Sequence, residues 1–356
     1  MRENEILEGR TRYRIVRKLA SGGMGEVCLA KTLGVEGFEK IVAIKTMLEK
    51  FSKTGDFVER FISEAKLVAN LIHENIVQIY QLEKINGSFC FILEYVDGIS
   101  LFDLIDFHRI SRRSMPVPLA VFIASRIARG LSYAHSRTDS SGRPLNIVHC
   151  DVCPHNILIN TEGVPKITDF GIAKASSIKD YTSISGKLAF MAPEQATGNA
   201  KVDFRADIYA LGSVLFYMLS SGQYHRDLTL DDKSLLAQVR AGSVDWSRLP
   251  EDLPEELRNI LAKMLAADPD ARYEATDILA RDLEYFIYKD GYGPTIVTLS
   301  QYIRELLPGR FGPSGAAPRT GITETHGPGG TDPDRTVVLE NPASDPERTV
   351  VLNYPR

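Results

Sequence analysis

The feature that most constrains the fold is a change of hydrophobic period near residue 100. Before it, apolar residues come in short, β-branched runs over 13–19, 26–30, 41–46, 76–82 and 89–96. Runs of that length, punctuated by Gly and polar residues, predict strands. The stretch 56–71 differs. Phe57, Val58, Phe61, Ile62, Ala65, Val68, Ala69 and Leu71 recur there at helical spacing. From Leu101 onward the pattern is mainly helical, over 117–135, 206–221, 254–267 and 275–289. A strand-rich part followed by a helix-rich part predicts an α+β chain of two lobes with a cleft between them.

Bulk properties narrow the function. The 356 residues allow one large two-lobed domain or two ordinary domains, and 44% hydrophobic with 25% charged residues is the mix of a globular protein with a core. A formal net charge of -4 argues against a nucleic-acid binder. No run reaches 18 apolar residues, so no membrane helix is expected. The charged start Met1-Arg2-Glu3-Asn4-Glu5 lacks the apolar centre of a signal peptide. Four cysteines in a chain this long do not make a disulfide framework, which points to a reducing cytoplasm.

Between the first two strands lies Ala20-Ser21-Gly22-Gly23-Met24-Gly25-Glu26-Val27. Glycines let bare backbone N–H groups approach a phosphate, although most Gly clusters are simply turns. A loop between strands, not ahead of a helix, disfavours a dinucleotide fold or a P-loop. Val42-Ala43-Ile44-Lys45 then puts a lysine on a short apolar strand, and Glu64 on the following helix can supply its anionic partner. Taken singly, Lys45 is a strand lysine reaching for water and Glu64 a solvated helix residue. With the loop upstream, the set resembles the ATP-binding lobe of protein kinases.

The second half carries the resemblance further. His149-Cys150-Asp151, Asn156, Asp169-Phe170-Gly171, Ala192-Pro193-Glu194, Asp207-Ile208-Tyr209-Ala210-Leu211-Gly212 and Arg272 follow one another in the order and spacing of that family. The wording around Glu94-Tyr95-Val96-Asp97-Gly98 and Met191-Ala192-Pro193-Glu194-Gln195 is similar to bacterial, eukaryotic-like Ser/Thr kinases. The resemblance covers roughly residues 13 to 290. It implies a two-lobed protein-kinase fold, with a small strand-rich N-lobe over 13–96 and a larger helical C-lobe over 97–290. Residues 1–12 would be a lead-in and 291–308 a helical extension.

By the same resemblance, Asp151 orients the acceptor hydroxyl and takes its proton. Asn156 and Asp169 offer hard oxygen ligands to magnesium. Lys45, paired with Glu64, contacts the ATP phosphates beneath the loop from Ala20 to Gly25, with Val27, Ala43, Leu93, Glu94 and Val96 around the base. Leu93 corresponds to the gatekeeper and Glu94 to Val96 to the hinge. Glu194 pairs with Arg272, and Asp207 anchors the catalytic loop. His73, His108 and His135 read as structural or surface histidines.

The departures are informative. Ala20 replaces the first loop glycine, a modest change if φ stays negative. Cys150 replaces the arginine that pairs with a phosphorylated activation segment. Phosphorylation of Ser176, Ser177, Thr182, Ser183 or Ser185 would then lack its usual receptor. Cys153 replaces the lysine that reaches the transferred phosphate. Lys187, where the family usually has threonine, can restore that charge from the other side of the cleft; the plain alternative is a surface lysine. Cys150 and Cys153 also form a Cys-x-x-Cys flanked by His149 and His155, which leaves zinc or a disulfide as a minor reading. The segment 136–147, rich in turn residues, is longer than the usual link and predicts a hairpin-like excursion.

After about Pro308 the composition shifts to Gly, Pro, Ser, Thr and charge, predicting a disordered tail over 309–356. The tail repeats itself: Thr331 to Leu339 and Ser344 to Leu352 differ only by Thr/Ser and Asp/Glu exchanges. Each copy presents a threonine, Thr336 or Thr349, with an apolar residue three places on. Phosphorylated, it resembles a ligand of forkhead-associated domains. A pseudosubstrate strand and incidental repetition are the alternatives. For the whole chain, the leading expectation is a Mg-ATP-dependent protein Ser/Thr kinase acting on protein substrates in bacterial signalling. A nucleotide-binding pseudokinase scaffold is the second reading, and a small-molecule phosphotransferase the third.

Overall fold

The computed structural model describes residues 2–22, 25–47, 62, 65–170, 188–197, 202–311, 336–339 and 350–353. The first lobe is a six-stranded antiparallel sheet. Its strands are β1 (Ile6–Glu8), β2 (Arg12–Gly22), β3 (Gly25–Leu33), β4 (Glu39–Met47), β5 (Ile79–Ile85) and β6 (Ser88–Glu94), in spatial order β1-β2-β3-β4-β6-β5. Period-two alternation decides what each face meets. Val42 and Ile44 of β4, with Cys90 and Ile92 of β6, point into one apolar cluster alongside Leu7, Tyr13 and Ile15. The residues between them, Ala43, Phe91 and Leu93, point the other way, into a second cluster with Val77 and Ala65. Lys45 shares that second face, so the alternation of one strand aims it at the cleft.

The lead-in expected over 1–12 is part of this sheet. Ile6–Glu8 pairs with Arg12–Arg14 and Leu7 is buried. The helix expected over 56–71 falls mostly outside the described residues; residues 65–68 are helical.

The second lobe is built on α1 (Leu101–Ser111), α2 (Val117–His135), α3 (Arg205–Leu219), α4 (Asp232–Ala241), α5 (Glu255–Met264), α6 (Thr276–Tyr288) and α7 (Ile296–Leu306). α2 and α3 are apolar nearly all round. In α3 every residue from Ala206 to Leu219 is buried, as expected of helices at the centre of a core. α1 is started by Ser100, whose Oγ accepts the N–H of Asp103, and α4 by Asp231, which accepts from Lys233 and Ser234. A three-stranded sheet, β7 (Gly98–Ser100), β8 (Ile157–Asn160) and β9 (Pro165–Ile167), lies where the lobes meet. Val77 donates to the Ile167 carbonyl and Ile167 to that of Asn75, which ties the lobes together. The excursion over 136–147 is present, closed by an antiparallel bridge between Thr138 and Pro144.

α7 and a short α8 (Pro308–Phe311) pack on the second lobe, with Leu299, Ile303, Leu306 and Phe311 buried in its core. The N-terminal end of α7 presses on Gly163, at the turn between β8 and β9. Gly163 has φ +82°, and a Cβ there would stand 2.0 Å from the Ile296 carbonyl oxygen. Ser300 Oγ donates to the Thr161 carbonyl at 2.6 Å, and Tyr302 meets His108 through a hydrogen bond and ring stacking. In the tail, where composition predicts no regular structure, β10 (Thr336–Leu339) and β11 (Val350–Asn353) pair antiparallel. The two copies of the repeat are thus partners of each other.

Candidate active site

β2 and β3 run on as a hairpin that brings Gly22 opposite Gly25, with Ala20 opposite Val27. Gly23 and Met24 at the tip lie outside the described residues. Ala20 sits in extended strand and is not among the residues with positive φ, so its methyl group imposes no backbone strain. Gly25 is required by the sheet itself: a Cβ there would lie 1.8 Å from the Thr46 carbonyl oxygen. Its presence is therefore accounted for by close approach of β3 to β4, apart from any ligand.

Below the hairpin, Lys45 Nζ lies 2.8 Å from Asp169 Oδ2, with both side chains largely shielded. Glu64, the partner expected from sequence, lies outside the described residues. Asp169 adopts φ +67°, an uncommon conformation that Asp tolerates better than most residues. The following Phe170 is buried against the His149 ring at 4.6 Å. His149 Nε2 bonds the Thr168 carbonyl at 2.8 Å. A cavity opens beside this group, lined by Lys45, Val77, Phe91, Leu93, Asp169 and Phe170. Leu93 and Ala43 reach its side of the sheet because of the strand alternation described above. Glu94 turns its carboxylate away, to Lys166 of β9 at 3.0 Å and to the Gln78 N–H at 3.2 Å. Val96 packs against the same face of the sheet.

The loop from His149 to Asn156, the catalytic loop expected from sequence, is held by Asp207. This wholly buried carboxylate accepts the N–H groups of His149 at 2.7 Å and Cys150 at 2.8 Å, and meets His135 Nε2 at 2.9 Å. Burial alone would raise its pKa. The hydrogen bond and charge of His135, then His149, outweigh burial and hold it below the ordinary carboxylate value. Cys150 takes φ +65°, a strained choice that these two amide bonds fix in place. Asn156 Nδ2 donates to the Asp151 carbonyl at 2.8 Å and to Asp151 Oδ2 at 3.2 Å. Both bonds use the amide nitrogen, leaving its oxygen as the available ligand. His155 stacks on Phe102 at 4.0 Å, and burial pulls its pKa down despite Asp103 and Asp151.

Glu194 and Arg272 form a two-pronged ion pair at 2.7 and 2.9 Å. Gln195 Nε2 donates to the Cys150 carbonyl at 3.1 Å, which lays this stretch beside the catalytic loop. The structure thus brings together Lys45 with Asp169, and Asp151 with Asn156. Lys187, Thr182, Ser183 and Thr349 lie outside the described residues, and Thr336 lies in β10. Cys150 and Cys153 are not joined in a disulfide. Among the described residues no three His, Cys, Asp or Glu side chains gather as a metal site, and no helix is long and apolar enough to cross a membrane.

Sequence reasoning missed Lys166, Gln195 and the two-sided role of His135, which joins Asp207 to Thr276. Lys166 alternates out of a three-residue strand too short to signal its direction. His135 closes a long helix, where only the fold reveals its partners.

The fold and the site define a protein kinase, and the comparisons with known proteins agree. The family model "Protein kinase domain" matches residues 13–284, and the chain belongs to that family. The tyrosine-protein kinase MasK of Myxococcus xanthus is 40% identical over 84% of this chain and 46% of its own length. The serine/threonine-protein kinases PrkC of Bacillus subtilis and PknB of Mycolicibacterium smegmatis are each 33% identical, over 77% and 76% of this chain. They are matched over 40% and 42% of their own lengths. The chain therefore spans less than half the length of these relatives. A crystal structure of the Mycobacterium tuberculosis PknI kinase domain matches with TM-score 0.60 and 26% identity. That match covers 80% of this chain and 98% of the other. These bacterial relatives make it a kinase of the eukaryotic-like type.

Proposed function

We propose that the chain transfers the γ-phosphoryl group of Mg-ATP to hydroxyl groups of proteins, mainly on Ser and Thr, and phosphorylates itself. The observation that carries this reading is the pair of contacts across one cleft, Lys45 with Asp169 and Asp151 with Asn156. Phosphoryl transfer depends mostly on positioning and on charge neutralisation, and these residue types supply both. Asp169 and the free oxygen of Asn156 are hard donors of the kind magnesium prefers, so the residues present fit the ion. Mg-ATP would supply the transferable group and part of the neutralising charge. Lys45 would hold the phosphates, Asp151 would align the acceptor hydroxyl and receive its proton, and Lys187 would add positive charge where Cys153 cannot.

Incubating the wild type with Mg-ATP beside Asp151→Asn, and mapping the phosphorylated residues, tests the reading. Transfer in the wild type and its loss in the variant are expected. Equal labelling of both, or of neither, would remove it in favour of a nucleotide-binding scaffold, the reading favoured by the absent loop arginine and lysine. The same map decides hydroxyl class, since one relative is named a tyrosine kinase and the others Ser/Thr kinases. For the tail we infer autophosphorylation at Thr336 and Thr349, creating two docking sites for a forkhead-associated-domain protein.

A further inference from the structure

Among the described residues Arg226 is the largest side chain sealed from solvent, and none of their carboxylates pairs with it. It lies in the connection between α3 and α4. One terminal nitrogen donates to the Leu188 carbonyl at 2.6 Å and the other to the Tyr209 hydroxyl at 2.7 Å. Nε has no partner. The guanidinium also lies over the Tyr209 ring, 5.4 Å from its centre. Arg272 approaches the same ring at 4.8 Å, but its charge is answered by Glu194. Two guanidinium groups therefore flank one phenol with a single carboxylate between them. Burial lowers the pKa of Arg226, and Tyr209 offsets this only in part.

A buried cation without an anion is expensive, and an apolar side chain of similar volume at such a place is commonly neutral or stabilising. Stability is thus a poor account of Arg226. Its backbone is fixed independently, by Arg248 donating to the carbonyls of Tyr224 and Arg226 at 2.7 and 3.0 Å. What the charged end itself adds is a hold on Leu188. Leu188 is followed in sequence by Gln195, whose side chain donates to the Cys150 carbonyl, and by Ala196, whose carbonyl Arg240 holds at 2.9 Å.

We propose that Arg226 is a positioning residue, a built-in clamp that fixes the backbone at Leu188, and with it the residues that Gln195 ties to the catalytic loop, without a phosphate. The proposal rests on the kinase reading above. A carbonyl oxygen, unlike a phosphate, is always present, so the clamp is closed from the moment the chain folds.

The test compares the full chain with Arg226→Met and Arg226→Lys, using myelin basic protein as acceptor. KM for acceptor and for ATP, kcat, Tm, and amide hydrogen exchange over 188–197 are measured. Arg226→Met is expected to raise the acceptor KM about tenfold, with kcat within about threefold. The KM for ATP and Tm should hold steady, and exchange should speed up over 188–197 alone. Arg226→Lys, which keeps the charge and one donor, should fall between. Unchanged acceptor KM and exchange in Arg226→Met would overturn the clamp. So would a fall in Tm with exchange rising throughout the chain, which would make Arg226 a fold residue. If the wild type transfers no phosphate the kinase reading fails, and the exchange comparison still decides the clamp.

Discussion

Asp207 Oδ1 accepts the backbone N–H of Cys150 at 2.8 Å, and the acceptor is completely buried. One carboxylate thus fixes the left-handed residue directly before Asp151. Replacing Asp207 by Ala strands two buried N–H groups and His135, at a cost of about 3 kcal/mol. Denaturant unfolding should show that loss, and phosphoryl transfer should fall even where the variant remains folded.

Lys187 is expected to matter for rate. If it replaces the charge missing at Cys153, Lys187→Ala should lose about 100-fold in kcat, the scale of one electrostatic contact to a transition state. A change of only a few-fold would return Lys187 to the surface. Treating active wild type with a phosphatase should leave its rate largely intact, because Cys150 offers no phosphate receptor.

Acid should weaken the fold partly through His225. This side chain is 2% exposed, its Nε2 meets Ser213 Oγ at 2.8 Å and its Nδ1 has no partner among the described residues. Burial, then the charges of Arg226 and Arg248, lower its pKa from 6.5 to about 3. Between those values the unfolded chain binds a proton that the folded chain refuses. Stability therefore falls as pH drops from 6.5 toward 3, by at most about 1.4 kcal/mol per pH unit from this group. His225→Asn should flatten the slope of unfolding free energy against pH over 6.5 to 4.5. An unchanged slope would locate the proton uptake elsewhere.

α7 and α8 should be integral to the kinase domain. A chain ending at Pro294, compared with one ending at Phe311, exposes the surface covered by Leu299, Ile303, Leu306 and Phe311. At roughly 1.5–3 kcal/mol for each buried side chain, the loss should reach several kcal/mol. A matching Tm for the two chains would contradict this.

Much of this architecture was legible in the residues. The periodicity of 117–135 coincides with α2, because a long helix at the centre of a core repeats its pattern many times. Lys45, Asp151, Asn156 and Asp169 announced themselves because each sits in a motif of ordered spacing. Glu94–Lys166 and Asp207–His135 did not, since both join residues 72 apart in sequence. The strand Ile6–Glu8 was invisible for another reason. Three residues carry too little alternation, and only pairing with Arg12–Arg14 makes them a strand. Arg226 lies in none of the sequence motifs, and only its burial marks it out.

The seat of α7 on Gly163 and Thr161 has a consequence for everything downstream. Phe311 is anchored in the second lobe, and Thr336 follows it by 25 residues. At about 3.3–3.6 Å per residue the connecting chain can extend no further than about 80–90 Å. A domain of this size has a radius of gyration near 19 Å, so the leash is long enough to wrap back to the molecule's own cleft. A substrate on such a leash sees its enzyme at a fixed effective concentration, whatever the dilution. Self-labelling of the tail would then proceed at a rate per molecule indifferent to how many molecules are present. If the tail is labelled as proposed, the repeat would register each molecule's own activity.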